Sequence, residues 1–176
     1  MKKIRNSFVV AGLLAGILFL NSCKKESTPE TNDEEVITTM KLTFTPVGGG
    51  TAQVFQFDDP DGPGGSAPTQ DNIVLNAAKA YTVSVQLLNK TTNPVTDVTT
   101  EVEEESEAHR FYYEPSSGAN ITVNGLDLDP NGIPVGINSV WTTGAAGSGQ
   151  LTVTLRHYPG NPPNKALSDP VNSTKS

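Results

Sequence analysis

An aspartate-rich loop near residue 130 has the spacing of a calcium-binding loop. Asp127, Asp129 and Asn131 alternate with other residues, and Gly132 follows them. This order matches the start of the Asp-x-Asp-x-Asn-Gly pattern, in which oxygens at alternate positions wrap one ion. The twelfth position of that pattern needs a bidentate Glu, but here it is Asn138. The sequence therefore offers Asp127, Asp129 and Asn131 as candidate calcium ligands, or else a bare turn that binds no ion.

The chain has two histidines, and each lies at the end of a predicted strand. His157 ends one strand, and His109 opens another directly after the acidic run 103–107. If these strands are neighbours, the two imidazoles and a carboxylate could bind zinc or copper, or the imidazoles could ligate haem. The alternative is that each histidine is an ordinary packed or surface residue.

Sequence patterns of the common enzyme classes are missing from the chain. It has no Gly-x-Ser-x-Gly elbow, no His-Glu-x-x-His pair and no P-loop, which would mark a serine hydrolase, a zinc protease or a nucleotide site. The glycine-rich stretch 144–149 precedes a predicted strand, so it lacks the helix N-terminus that holds phosphate. We therefore expect a protein that is not an enzyme.

The N-terminus predicts export and lipid attachment. A basic start, MKKIR, precedes the apolar stretch 8–20, which is shorter than the roughly 20 residues that a spanning helix needs and matches a signal-peptide core. The sequence then reads LNSC and resembles a lipobox. In proteins with that motif a diacylglycerol is joined to the cysteine sulfur, the chain is cut before the cysteine, and the new amine is acylated. We therefore predict a lipoprotein signal peptide over 1–22 and a lipid anchor on Cys23.

Composition narrows the choice of partners. The chain carries 12 Lys and Arg against 19 Asp and Glu, for a net charge of −7, and the predicted leader removes some of the basic residues. Phosphate binding needs clustered basic side chains, so we expect no nucleic-acid partner. Cys23 is the only cysteine, which excludes an internal disulfide and a cysteine-based metal site.

The rest of the chain divides into a tether, a folded domain and a tail. Residues 23–35 are polar and charged and predict a flexible tether, because they cannot bury enough surface to offset their ordering entropy. Residues 36–160 repeatedly alternate apolar and polar side chains, as half-buried strands do. Residues 161–176 are polar and proline-rich, and we expect a disordered tail there.

The strand pattern predicts the fold class. Strands are expected at 36–45, 51–57, 81–87, 111–113, 121–126, 137–143 and 151–155. One short helix is expected to begin after Asp97, a good N-cap residue, and to end near Glu107. Frequent turns and few helical patterns predict an antiparallel β-sandwich or open barrel of about seven strands with at most one short helix.

Three stretches carry a resemblance to a known family. They are the segment 141–159 (WTTGAAGSGQLTVTLRHYP), the end of the acidic run at Glu107-Ala-His109, and the opening EVITT from Glu35. Over most of residues 35–160 the chain resembles a family of small envelope lipoproteins from Gram-negative bacteria, sometimes classed as type 1 periplasmic-binding-fold proteins. That class implies a two-lobed α/β structure, whereas the strand pattern here predicts one β domain. Family members usually continue into one more strand. The polar ending of this chain would instead leave an open sheet edge, which invites pairing with another chain.

These observations predict two functions of different kinds. The first is a non-enzymatic lipoprotein, anchored by its lipid at the outer membrane, whose tethered sandwich binds a partner protein or a small ligand. Assistance to an outer-membrane uptake receptor is the example we expect. The alternative is a lipoprotein that captures a metal ion or haem through His109 and His157 or through the aspartate loop. The sequence leaves the ligand, the membrane face and the oligomeric state open.

Overall fold

A computed structural model describes residues 35–62 and 64–175. The predicted signal peptide, the predicted lipidation site Cys23 and all of the predicted tether except Glu35 lie outside the described residues. No helix within the described residues is long and apolar enough to cross a membrane. The elements in chain order are β1 (Thr39–Pro46), β2 (Gln53–Asp58), β3 (Thr69–Gln70), β4 (Ala80–Asn89), β5 (Thr96–Asp97), α1 (Thr99–Glu104), β6 (His109–Pro115), β7 (Ile121–Asn124), β8 (Asn138–Thr143) and β9 (Leu151–His157).

The strands form two antiparallel sheets. The first has the order β3-β2-β1-β4-β8-β7, with the short β5 joined to β4, and the second consists of β6 and β9. Strands make up 39% of the described residues and helix 6%. The prediction of a mainly β, antiparallel fold with a single short helix is therefore confirmed.

One hydrophobic core is shared by both sheets. Alternate residues of β1 and β4 point inward and lie opposite one another, as Leu42 lies opposite Val85. The buried ring of Trp141 meets Phe44 of the first sheet at a centroid distance of 5.2 Å and Tyr113 of the second at 5.3 Å. The period of two in the sequence thus arises because each strand buries only one face.

The helix begins later than the sequence predicted. Asp97 does not cap it, because this residue belongs to β5, where it pairs with Leu88 of β4. The Asp97 carboxylate accepts the Thr99 N–H at 3.0 Å, and Val98 occupies the N-cap without a side-chain bond. The helix ends at Glu104 and buries only Val102.

The C-terminus also differs from the expectation of a disordered tail. Residues 161–175, here called the C-terminal segment, form turns that are bonded to the second sheet. Arg110 of β6 donates to the main-chain oxygens of Ala166 and Leu167 at 3.3 and 3.2 Å, and the Tyr112 hydroxyl donates to that of Asp169 at 2.8 Å. The folded domain therefore includes residue 35 and extends beyond the predicted limit of 160. The segment is held by polar bonds, which a composition argument based on apolar burial does not detect.

The packing around Phe44 gives a first prediction. Its ring is fully buried against Trp141 and two other aromatic rings, so Phe44→Ala should lower the free energy of unfolding by about 3–5 kcal/mol. Val54 lies on the exposed face of β2, and Val54→Ala should change it by about 0.5 kcal/mol or less. Urea titration followed by the fluorescence of Trp141 measures both. Equal losses in the two variants would contradict this account of the core.

Candidate metal centre

The structure brings the two histidines together. His109 opens β6 and His157 ends β9, and the two are directly opposite in the register of this antiparallel pair. Opposed residues project to the same side of a sheet, and the two rings stack with a centroid distance of 4.6 Å and an interplanar angle of 18°. The neighbouring strands that the metal hypothesis required are therefore present.

Two carboxylates complete a group with the histidines. Glu35 precedes β1, and Glu105 follows α1 directly. One possible ligand atom from each of Glu35, Glu105, His109 and His157 lies within 4.8 Å of the other three. We call these residues the four-residue cluster. Glu105 belongs to the acidic run noted in the sequence, but Glu35 was missed, because 74 positions separate it from His109 and no local spacing connects them.

His109 is held at both ring nitrogens. Its Nε2 lies 2.7 Å from Oε1 of Glu35, and its Nδ1 lies 3.1 Å from the main-chain oxygen of Glu105. The buried imidazole is thus held between a main-chain carbonyl and a carboxylate. A metal ion at His109 would take the place of one of these two contacts, because a ligating ring nitrogen carries no proton.

The cluster is closed on one side and open on the other. The side chains of His109 and Glu35 are 0% and 9% exposed, whereas that of Glu105 is 44% exposed. His157 is half-buried. An ion could therefore reach the buried nitrogen donors from the side of Glu105, and solvent could complete its coordination there.

The histidine geometry does not fit haem ligation. Two axial imidazoles point their nitrogens at one iron from opposite faces of the porphyrin. Here the rings lie face to face, nearly parallel and 4.6 Å apart. The space between them does not admit a porphyrin, so the predicted haem site lacks support from the positions of His109 and His157.

The polar side chains of the aspartate loop form hydrogen bonds with other groups of the protein, mostly with the backbone of the loop itself. Oδ1 of Asp127 accepts the N–H groups of Gly136 at 2.8 Å and Asn138 at 3.0 Å. The amide of Asn131 donates to Glu107 at 2.5 Å. Within the described residues, the four-residue cluster is the one group of three or more His, Cys, Asp or Glu side chains that meets a metal-site geometry. Asp127, Asp129 and Asn131 therefore serve the turn that joins β7 to β8.

The ammonium group of Lys165 supplies a positive charge beside Asp129. Oδ2 of Asp129 lies 2.7 Å from Nζ of Lys165, and the two side chains are 0% and 1% exposed. Burial alone would raise the pKa of Asp129, but the bonds from Lys165 and from the Ile133 N–H outweigh it and lower that pKa. Burial also lowers the pKa of Lys165, against the attraction of Asp129. The Lys165 ammonium thus occupies the position beside Asp129 that the sequence suggested for a calcium ion.

Comparisons with known family models, with curated proteins and with solved structures find no match to this chain. The resemblance to envelope lipoproteins, and the anchor on Cys23 with it, therefore stays a prediction from the sequence. The fold and the four-residue cluster are instead described by the structure itself.

The buried ion pair gives a second prediction. Asp129→Asn leaves the Lys165 ammonium buried without a counter-charge, so it should lower the free energy of unfolding by about 3–5 kcal/mol at neutral pH. Because folding lowers the pKa of Asp129, its contribution is present above the unfolded pKa and is lost as pH falls through the folded pKa. The wild-type chain should therefore lose more stability than the variant between about pH 5 and pH 2. Urea titrations across this range measure both effects.

Lys175→Met is the matched control. Its ammonium pairs with Asp169 at 2.8 Å but is partly exposed, so the loss should be about 1 kcal/mol or less. An Asp129→Asn variant as stable as this control, or one with the wild-type response to acid, would show that the ion pair does not hold the loop.

Proposed function

We propose that this chain is a lipid-anchored envelope protein whose folded domain captures a divalent transition metal ion, zinc or copper, at the four-residue cluster. The observation that supports this is the convergence of ligand atoms from four side chains within 4.8 Å of one another. These side chains come from the segment before β1, the turn after α1, and strands β6 and β9. The proposal takes up the second of the two functions expected from the sequence.

The donor set supports zinc or copper(II). Two imidazoles and two carboxylates are ligands that both ions accept, whereas copper(I) prefers sulfur and calcium prefers an all-oxygen shell. In a tetrahedral site with bonds of about 2.0–2.1 Å, neighbouring donors lie roughly 3.3 Å apart. Glu35 and Nε2 of His109 are 2.7 Å apart, so binding would separate them by roughly half an ångström.

The charge of the chain favours the same function. A net charge of −7 raises the concentration of cations near the surface and speeds their arrival. A lipid on Cys23 would keep the domain at the membrane, where a captured ion could be passed to a transporter. We propose no catalytic role for the bound ion.

Metal titration gives the third prediction. A hundredfold excess of zinc or copper(II) over its dissociation constant should stabilise the wild-type chain by about 2.7 kcal/mol, because the ion binds only the folded state. The stabilisation should vanish in His157→Ala and persist in Asp127→Asn, each compared with its own metal-free melting temperature. Differential scanning calorimetry measures these shifts. A rise with calcium that is lost in Asp127→Asn would instead restore the calcium loop, and no rise with zinc or copper would reject the proposal.

An open strand edge favours a second candidate function, binding of a partner protein. Among the described strands, β9 pairs with β6 alone. Across the described residues, 151–157 make no main-chain hydrogen bond outside that pair. A row of free N–H and C=O groups is a template for an added strand. We propose that a membrane partner adds an extended segment beside β9.

A charge on this edge gives the fourth prediction. Thr152 is exposed on β9. Thr152→Lys should disfavour strand addition, because a charged lysine side chain on an edge strand opposes pairing with another strand. Cross-linking to a membrane partner should fall severalfold, while the metal-induced rise in melting temperature stays unchanged. Thr122→Lys, also exposed but on β7 of the other sheet, is the control. Equal cross-linking in both variants and the wild-type chain would exclude the β9 edge as the interface.

A further inference from the structure

We infer that the metal ion acts as a clasp, which fixes the N-terminal arm of the domain, residues 35–38, to the second sheet. This inference rests on the proposed metal function and adds a regulatory consequence to it. Three members of the four-residue cluster belong to β6, β9 and the turn after α1, and Glu35 alone comes from the arm. An ion bound by all four would therefore cross-link the arm to the rest of the domain.

The second-sheet side of the cluster is already fixed without metal. The main-chain oxygen of His109 accepts a bond from the buried Lys165 ammonium at 2.9 Å. The Glu105 oxygen that faces the His109 ring also accepts the N–H of Ala108 at 2.8 Å. The register of β6 and β9 places His157 opposite His109. The two histidines and the main chain of Glu105 are thus positioned before an ion arrives, which limits the entropy lost on binding.

Among the described residues, the hydrogen bonds of the arm lie at its two ends. At one end, the N–H of Thr38 donates to Leu88 at 2.9 Å, and its hydroxyl accepts the N–H of Lys90 at 2.9 Å. Val36 and Ile37 are 52% and 36% exposed, and no hydrogen bond to either occurs among the described residues. At the other end, the Glu35 side chain is largely buried, and its one hydrogen bond to another described residue joins its carboxylate to His109. Loss of that contact would free the arm as far as Thr38.

Metal binding would change the strength of this one attachment. A segment with exposed side chains and few hydrogen bonds opens at a lower cost than the core does. Coordination of Glu35 together with His109, His157 and Glu105 would add a stronger attachment to its present hydrogen bond. Because the predicted tether joins the domain at Glu35, the ion would set the direction in which the tether leaves and so how the domain faces its membrane.

Spin-label mobility tests the clasp on the full chain. Cys23→Ser leaves no native thiol, and Val36→Cys then carries a nitroxide on the arm; the protein is kept in detergent. Zinc is diamagnetic, so the spectrum reports motion of the label alone. Saturating zinc should slow the label at residue 36 by roughly threefold or more, within the nanosecond range of segment motions. A label at Val54→Cys, on the exposed face of β2, should keep its spectrum.

Two carboxylate variants separate the arm from the metal site. Glu35→Gln and Glu105→Gln each remove one ligand, and displacement of a chromophoric chelator measures zinc binding in the same samples. At saturating zinc the label should stay mobile in Glu35→Gln and become slow in Glu105→Gln. Zinc binding without slowing in the unchanged arm, or slowing that persists in Glu35→Gln, would overturn the clasp and leave the metal site intact. Failure of the unchanged chain to bind zinc would overturn both.

Discussion

The ion pair between Lys165 and Asp129 is the interaction on which the surrounding parts of the fold depend. Besides Asp129 at 2.7 Å, the Lys165 ammonium contacts the main-chain oxygens of Ser106 at 2.5 Å and His109 at 2.9 Å. One cation therefore joins the C-terminal segment, the aspartate loop, the turn after α1 and the start of β6. A buried ammonium needs both a counter-charge and acceptors for its protons, so these parts must meet in one arrangement.

This arrangement explains why the side chains of the cluster and of the aspartate loop are arranged differently despite similar ligand types. Lys165 supplies the positive charge that Asp129 needs, and the loop then satisfies its remaining oxygens with main-chain N–H groups. The same ammonium anchors the backbone of His109, while the imidazole of that residue is directed at Glu35. The lysine thus takes the place of an ion at Asp129 and holds the backbone of a residue of the proposed metal site.

The extent to which the sequence predicted this structure depends on the range of the interactions involved. The inward residues of β1, β4 and β9 were predictable, because burial of one face imposes a period of two on neighbouring residues. The pairing of β6 with β9, and hence the contact of His109 with His157, could be stated only as a condition. Glu35 was assigned to a flexible tether because its own neighbours are polar, and its partner lies 74 positions away. The C-terminal segment was assigned to disorder for the same reason, since the bonds from Arg110 and Lys165 leave no apolar signal.

The buried position of Glu35 connects the metal-free and metal-bound forms of the protein. A carboxyl group that is only 9% exposed needs a hydrogen-bonding or charged partner. The His109 ring is that partner in this structure, and a zinc or copper ion would be a further one in the proposed bound form. The aromatic core around Trp141 and the Lys165 ion pair contain no member of the cluster's four side chains. We therefore expect the domain to fold without metal. The proposed ion would then act on the folded domain by changing how firmly its N-terminal arm is held.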